Sequence, residues 1–195
     1  MNIGIFGGTF NPIHYGHLIN VELVRSETGL DRVILVPTKQ PVHRLLRRHK
    51  NHSIDFKPRD LVSRNLQVPG YEVSRLEIDR EEPSYTIITV EALMARYPEA
   101  DLHLIIGMDS LNDIHTWREA DRLVKMVSLI VMRRPGAEVH TDMVPEGARV
   151  RFIENPLIDI HGSEIRERLA RGLSVRFQIP DMVLDYIHQR GLYLT

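Results

Sequence analysis

The sequence predicts an α/β fold built on one parallel sheet of five or six strands. Short, β-branched apolar runs recur along the chain, as they do in strands buried on both faces, and longer segments of helical period separate them. The strand candidates are Asn2 to Phe6, Arg32 to Val36, Tyr71 to Leu76, Leu102 to Ile106, Ser128 to Met132 and Arg149 to Ile153. Alternation of such strands with helices is the pattern of crossover units in a parallel sheet.

Between the first two strands, Leu18, Val21 and Val24 repeat at helical spacing, and Gly29 stands where a left-handed residue would end the helix. A second helix is expected from Ser84, after Pro83, with Ile87, Val90, Met94 and Tyr97 on one face and Pro98 beyond its end. Thr116 and Glu119 have capping-box spacing, which predicts a third helix from Thr116 to about Met126. The last helix should open at Pro180 and Asp181 and close at Gly191. The stretch from Arg44 to Arg59 carries Arg44, Arg47, Arg48 and Lys50 and reads as a mobile basic loop; its plainer reading is a solvated connection. With no repeat and no low-complexity linker, one domain is expected over 1–195, its C-terminal part from about 161 being helical.

Composition narrows the function. The 195 residues hold 25 Lys+Arg against 26 Asp+Glu, a net charge of -1, which argues with the 6% aromatic content against a nucleic-acid binder. An apolar fraction of 43% supports a core without covalent staples, and the absence of cysteine removes disulfides, thiolate nucleophiles and thiolate metal sites. No apolar run is long enough to cross a membrane, so a soluble, cytoplasmic protein is expected.

Directly after the first strand comes GGTFNPIHYGHL, where Gly7, Gly8 and Gly16 leave room for backbone and His14 and His17 stand three apart. Glycines at this position let main-chain N–H groups approach an anion, and the following helix points its positive end the same way, so a phosphate site is predicted. A nicotinamide-dinucleotide fold is excluded, because Gly4, Gly7 and Gly8 do not make GxGxxG and no carboxylate follows Val36-Pro37. No nearby Asp, Glu or His completes a metal ligand set. The segment resembles the (T/S)xxH and HxGH signature of the nucleotidyltransferase superfamily. That resemblance implies a Rossmann-like doubly wound sheet of nucleotidyltransferase type.

A second motif, IDIHGSEIRERL, sets Ser163 and Arg166 at the start of a helix, where hydroxyl, guanidinium and N–H groups would face a polyphosphate. A simple Ser163 cap with Arg166 in solvent is the alternative. The stretch resembles the ISSTxIR element of bacterial nicotinate mononucleotide adenylyltransferases, with His161 and Gly162 at the two serine positions and Ser163 at the threonine position. Asn11 stands where an aspartate is common in that family.

Further stretches extend the likeness over nearly the whole chain: PTKQPVHR, EEPSYTIITVEAL, IIGMDSL with Trp117 beyond it, and VMRRPG. The resemblance implies transfer of an adenylyl group from ATP to nicotinate mononucleotide in NAD biosynthesis. It implies catalytic roles for His14, His17 and Arg166. ATP would be bound by these three with Gly7, Gly8, Thr9, Phe10, Gly107, Asp109, Arg134 and Ser163, and the mononucleotide by His43, Arg44, Tyr85, Thr86 and Trp117. Mg2+ would arrive on the ATP phosphates, with no metal held by the protein itself. The residues leave some readings open: the tryptophan as a core anchor, Asp109 as a turn cap, the amide mononucleotide or phosphopantetheine as acceptor, an inactive nucleotide sensor of the same fold, and a homo-oligomer.

Overall fold

A computed structural model describes residues 1–38, 68–133 and 144–194. Six strands form one all-parallel sheet: β1 (Asn2–Gly8), β2 (Arg32–Pro37), β3 (Tyr71–Val73), β4 (Asp101–Gly107), β5 (Ser128–Arg133) and β6 (Val150–Glu154). Their order is β3-β2-β1-β4-β5-β6. The chain builds outward from β1 in one direction and then returns to build from β4 in the other. The crevice between the carboxyl ends of β1 and β4 is therefore the switch point at which open α/β sheets bind ligands.

The helices are α1 (Tyr15–Thr28), α2 (Thr86–Arg96), α3 (Met108–Asn112), α4 (Ala120–Met126), α5 (Gly162–Ala170) and α6 (Asp181–Arg190), with a 3-10 turn at Ile114–Thr116. Successive strand side chains point to opposite faces, and both faces are apolar. Val33 and Leu35 of β2 join Ile105, Ile130 and Ile153 under Val21 and Val24 of α1, Ile165 of α5 and Ile187 of α6. Ile34 and Val36 join Ile5, Leu104 and Val131 under Val90 and Leu93 of α2 and Leu123 of α4. Thus β2, with one charged residue at its start, reads as an unbroken apolar run because it has no solvent face.

The structure moves several predicted boundaries. Strand β3 ends at Val73 rather than Leu76: Ser74 N–H still reaches Leu35 O at 2.9 Å, but Leu76 N–H turns back to Ser74 Oγ and Asp79 N–H to Arg75 O. Helix α2 starts at Thr86, not Ser84, and Met94 lies exposed while Leu93 takes the buried position. The expected capping box at Thr116 does not form. Thr116 Oγ1 donates to Asp113 O inside the 3-10 turn, and α4 begins at Ala120 behind Glu119, which is left-handed at φ 53. The glycines closing α1 and α6 behave as predicted, Gly29 and Gly191 taking φ 70 and φ 60.

Leu123 is fully buried beneath the sheet. Leu123→Ala should cost about 2–5 kcal/mol, read as a lower urea midpoint at unchanged slope.

Candidate active site

The turn after β1 is bent by a bulky residue, not by its glycines. Phe10 takes φ 41, while Gly7 and Gly8 complete the strand. Phe10 as a whole is 1% exposed, its ring edge-on to that of His17 with centroids 5.3 Å apart. The loop then carries His14 to the N-cap of α1 and His17 to its first turn, three residues on.

The two imidazoles stack, with centroids 3.6 Å apart and planes at 26°. His14 N–H donates to His17 Nδ1 at 3.4 Å, which requires a lone pair on Nδ1 and places the His17 proton on Nε2. Burial and then the neighbouring His161 lower the His14 pKa to about 4; burial and then His14 lower that of His17 to about 3. Both rings are therefore neutral hydrogen-bonding groups at neutral pH in the free protein. Gly16 is what lets them sit there: a Cβ on it would come 3.0 Å from His14 Nδ1, a buried atom with no hydrogen-bond partner among the described residues. The end of α1 is also partly occupied by protein. Tyr15 N–H donates to Gln178 O, and the N–H groups of His17 and Leu18 share His14 O, which leaves Gly16 N–H of the first turn.

The second motif meets the first directly. Arg166 Nη1 donates to Asn11 O at 2.6 Å, across 155 positions of sequence. A Cβ on Gly162 would lie 2.8 Å from that same oxygen, so the glycine at this position permits the contact. His161, not Ser163, is the N-cap of α5; Ser163 is exposed in the first turn. His161 Nε2 is paired with Asp159 Oδ1 at 2.8 Å. Neither half of the simple capping alternative holds, since Ser163 caps nothing and Arg166 is half-buried and bonded to the first motif.

A cavity of about 510 Å³ opens at the carboxyl edge of β1, β2 and β4 and reaches as far as Thr9; Asn11, His14, His17, Ser163 and Arg166 are not in its wall. Gly7, Gly8 and Thr9 form one wall, Gly107 and Asp109 another, and Tyr85, Thr86 and Trp117 a third. Phe6 lines it too, its ring 6.4 Å from that of His17, and so connects cavity and histidine pair. Asp109 is exposed in the first turn of α3 behind Gly107, the N-cap. Half-buried Trp117 packs on the core and also lines the cavity, so it combines the two roles open from sequence. Tyr85 is overlaid by the Arg118 guanidinium at 4.8 Å. Its N–H is already given to Pro83 O, and Tyr85 O takes the N–H groups of Ile88 and Thr89. Those left at the start of α2 belong to Thr86 and Ile87.

His43, Arg44, Arg134 and the basic stretch from Arg44 to Arg59 lie outside the described residues. Two residues escaped the sequence reading. Glu77 is 6% exposed, accepts from Thr89 Oγ1 at 2.8 Å and lines the cavity, while its Oε2 has no partner among the described residues. Tyr193 donates its hydroxyl to Asn11 Oδ1 at 2.5 Å. Neither lies in a patterned segment; each is drawn in only by the tertiary fold.

The cytidylyltransferase-like family model matches residues 5–168, a span that includes both motifs. A relative from Saccharopolyspora erythraea named a probable nicotinate-nucleotide adenylyltransferase is 39% identical over 98% of this chain and 89% of its own. One of the same name from a Roseiflexus species is 40% identical over 98% and 97%. The chain belongs to the nicotinate-nucleotide adenylyltransferase family. The fold of the family is seen in a Plasmodium falciparum nicotinic acid mononucleotide adenylyltransferase complexed with NaAD, which matches at TM-score 0.74 and 21% identity over 98% of this chain and 97% of that one. No helix among the described residues is long and apolar enough to cross a membrane.

Two outcomes follow from the packing of this adenylyltransferase site. An unfolded chain protonates each imidazole near pH 6.5, whereas the folded chain holds His14 and His17 neutral down to about 4 and about 3. The unfolded state thus binds more protons across that window, so stability is full above it and falls as the pH drops through it. Thermal midpoints should decline from about pH 7 to about pH 4, and His17→Asn should flatten the decline. Separately, Gly162→Ala should push α5 off Asn11 and lower turnover at least about tenfold in a protein that still folds, as circular dichroism and steady-state rates would show.

Proposed function

We propose that the chain moves the adenylyl group of ATP onto nicotinate mononucleotide, giving nicotinate adenine dinucleotide and pyrophosphate. The observation that carries this reading is the junction at Asn11, where the histidine motif and the Ser163–Arg166 helix tip meet, in the loop whose Thr9 lines a nucleotide-sized cavity. The names of the relatives point the same way.

In this reading the mononucleotide's phosphate oxygen attacks the α-phosphorus of ATP, and the bond from that phosphorus to the bridging oxygen of pyrophosphate breaks. The attacking phosphate has a second pKa of about 6 and is already ionised, so no strong base is required. The obstacle is repulsion between two polyanions, which is met by placement and by donors aimed at the transferring group. His17, with its proton on Nε2, and His14 donate to the α-phosphoryl oxygens as neutral imidazoles. Arg166 and Ser163 hold the departing pyrophosphate. Backbone groups of Gly7, Gly8 and Thr9 line the nucleotide's path, and Gly107 and Asp109 receive the ribose. Thr86 N–H takes the pyridine carboxylate, with Tyr85 and Trp117 flanking the ring. His43, Arg44 and Arg134 are assigned to the substrates by resemblance alone. Among the described residues no group of three or more His, Asp or Glu could hold a metal. Mg2+ would be carried on the triphosphate oxygens, a hard-oxygen donor set, and would supply charge neutralisation there. No covalent enzyme intermediate is involved.

One observation favours a second acceptor. Glu77 Oε2 is a buried acceptor with no partner among the described residues in the same cavity, and a carboxamide N–H would satisfy it where a carboxylate would not. Pyrophosphate release from ATP, measured with the acid and the amide mononucleotide in turn, decides between them. The expected result is faster release with the acid. No release with either one would sink the proposal. His17→Ala should lower kcat at least about a hundredfold without loss of fold.

A further inference from the structure

Asn11 is held at two points by the C-terminal part of the chain. Its backbone oxygen accepts Arg166 Nη1 at 2.6 Å, and its side-chain oxygen accepts the Tyr193 hydroxyl at 2.5 Å. Anchoring the side chain fixes the orientation of the Cα–Cβ bond, so the peptide plane that carries the carbonyl loses freedom to swing. The Arg166 seat then depends, through this carbonyl, on the Tyr193 hydroxyl.

Two further features concern the same point. Phe10 and Tyr193, on either side of the Tyr193–Asn11 contact, are both left-handed, at φ 41 and φ 63. Bulky residues avoid that region, and the surroundings must hold them there; such outliers gather at functional sites. The Tyr193 ring packs on the core under α1, α5 and α6, so a phenylalanine would fill the same space. What the tyrosine adds is the hydroxyl, and the Asn11 amide oxygen is what it meets.

We propose that Tyr193 is a positioning residue for the phosphate end of the site, acting through Asn11 to keep the Arg166 guanidinium aimed at the triphosphate. This rests on the reading in which Arg166 meets the phosphates of ATP. The hydroxyl is a polar link from the segment after α6 to the loop of the first motif, and it sets ATP placement without lining the mononucleotide cavity.

The test uses the full chain and two readouts, ATP affinity by calorimetry and steady-state kinetics with ATP and nicotinate mononucleotide. Tyr193→Phe should weaken ATP binding about tenfold and lower kcat by a similar factor, the size of one lost hydrogen bond. The KM for the mononucleotide and the thermal midpoint should stay close to those of the parent. In an Asn11→Ala background the same replacement should change neither ATP affinity nor kcat further. Unchanged ATP affinity in Tyr193→Phe would overturn the inference, as would an equal loss in the Asn11→Ala background. A parent protein that binds ATP with this coupling yet turns over no mononucleotide would overturn the proposed activity and leave the role of Tyr193 standing.

Discussion

A single charge-assisted hydrogen bond, from the Arg166 guanidinium to the Asn11 carbonyl, is the constraint around which the site is arranged. It closes the loop after β1 onto the helix after β6, although β4 and β5 stand between those two strands in the sheet. Its length demands close packing, and that demand explains the residues around it. Gly162 has no side chain because the carbonyl occupies the place of one, and Gly16 has none because His14 lies against it. Both glycines serve contact rather than flexibility.

The electrostatics follow from the same compactness. Stacked imidazoles in a desolvated loop reject protons, so the paired histidines do not supply standing positive charge. Such charge near the junction comes from Arg166, while the imidazoles supply fixed donors. Donors that are oriented before the substrate arrives cost no reorganisation during transfer, and their neutrality means that they lose no counter-charge when products leave. His161 stands next to this pair, itself paired with Asp159.

Much of the fold was legible because buried parallel strands leave an unmistakable run of apolar residues. The helices around them announced their ends through Gly29 and Gly191. Local signals failed where the chain was governed by contacts from elsewhere: the Thr116 and Glu119 pair has the spacing of a cap, yet the 3-10 turn uses Thr116 first. In the site, His14, His17 and Arg166 were visible as motifs, and the Arg166–Asn11 bond joins the two segments that carry them. The reasons for Gly16 and Gly162 were not visible, since close approach between distant segments has no local pattern. Glu77 and Tyr193 were invisible for the same cause. The expectation that the open end of α1 would hold the anion overlooked Gln178, which reaches it from more than a hundred and fifty positions away.

The junction also sets an order of events in synthesis. Asn11 emerges from the ribosome early, whereas its partners lie 155 and 182 positions later. A growing chain can assemble the first strands and the stacked imidazoles, but the guanidinium is made only after β6, and the tyrosine later still. The first motif must therefore fold without the latch that later holds it, and the site can close only after most of the core around it has been made.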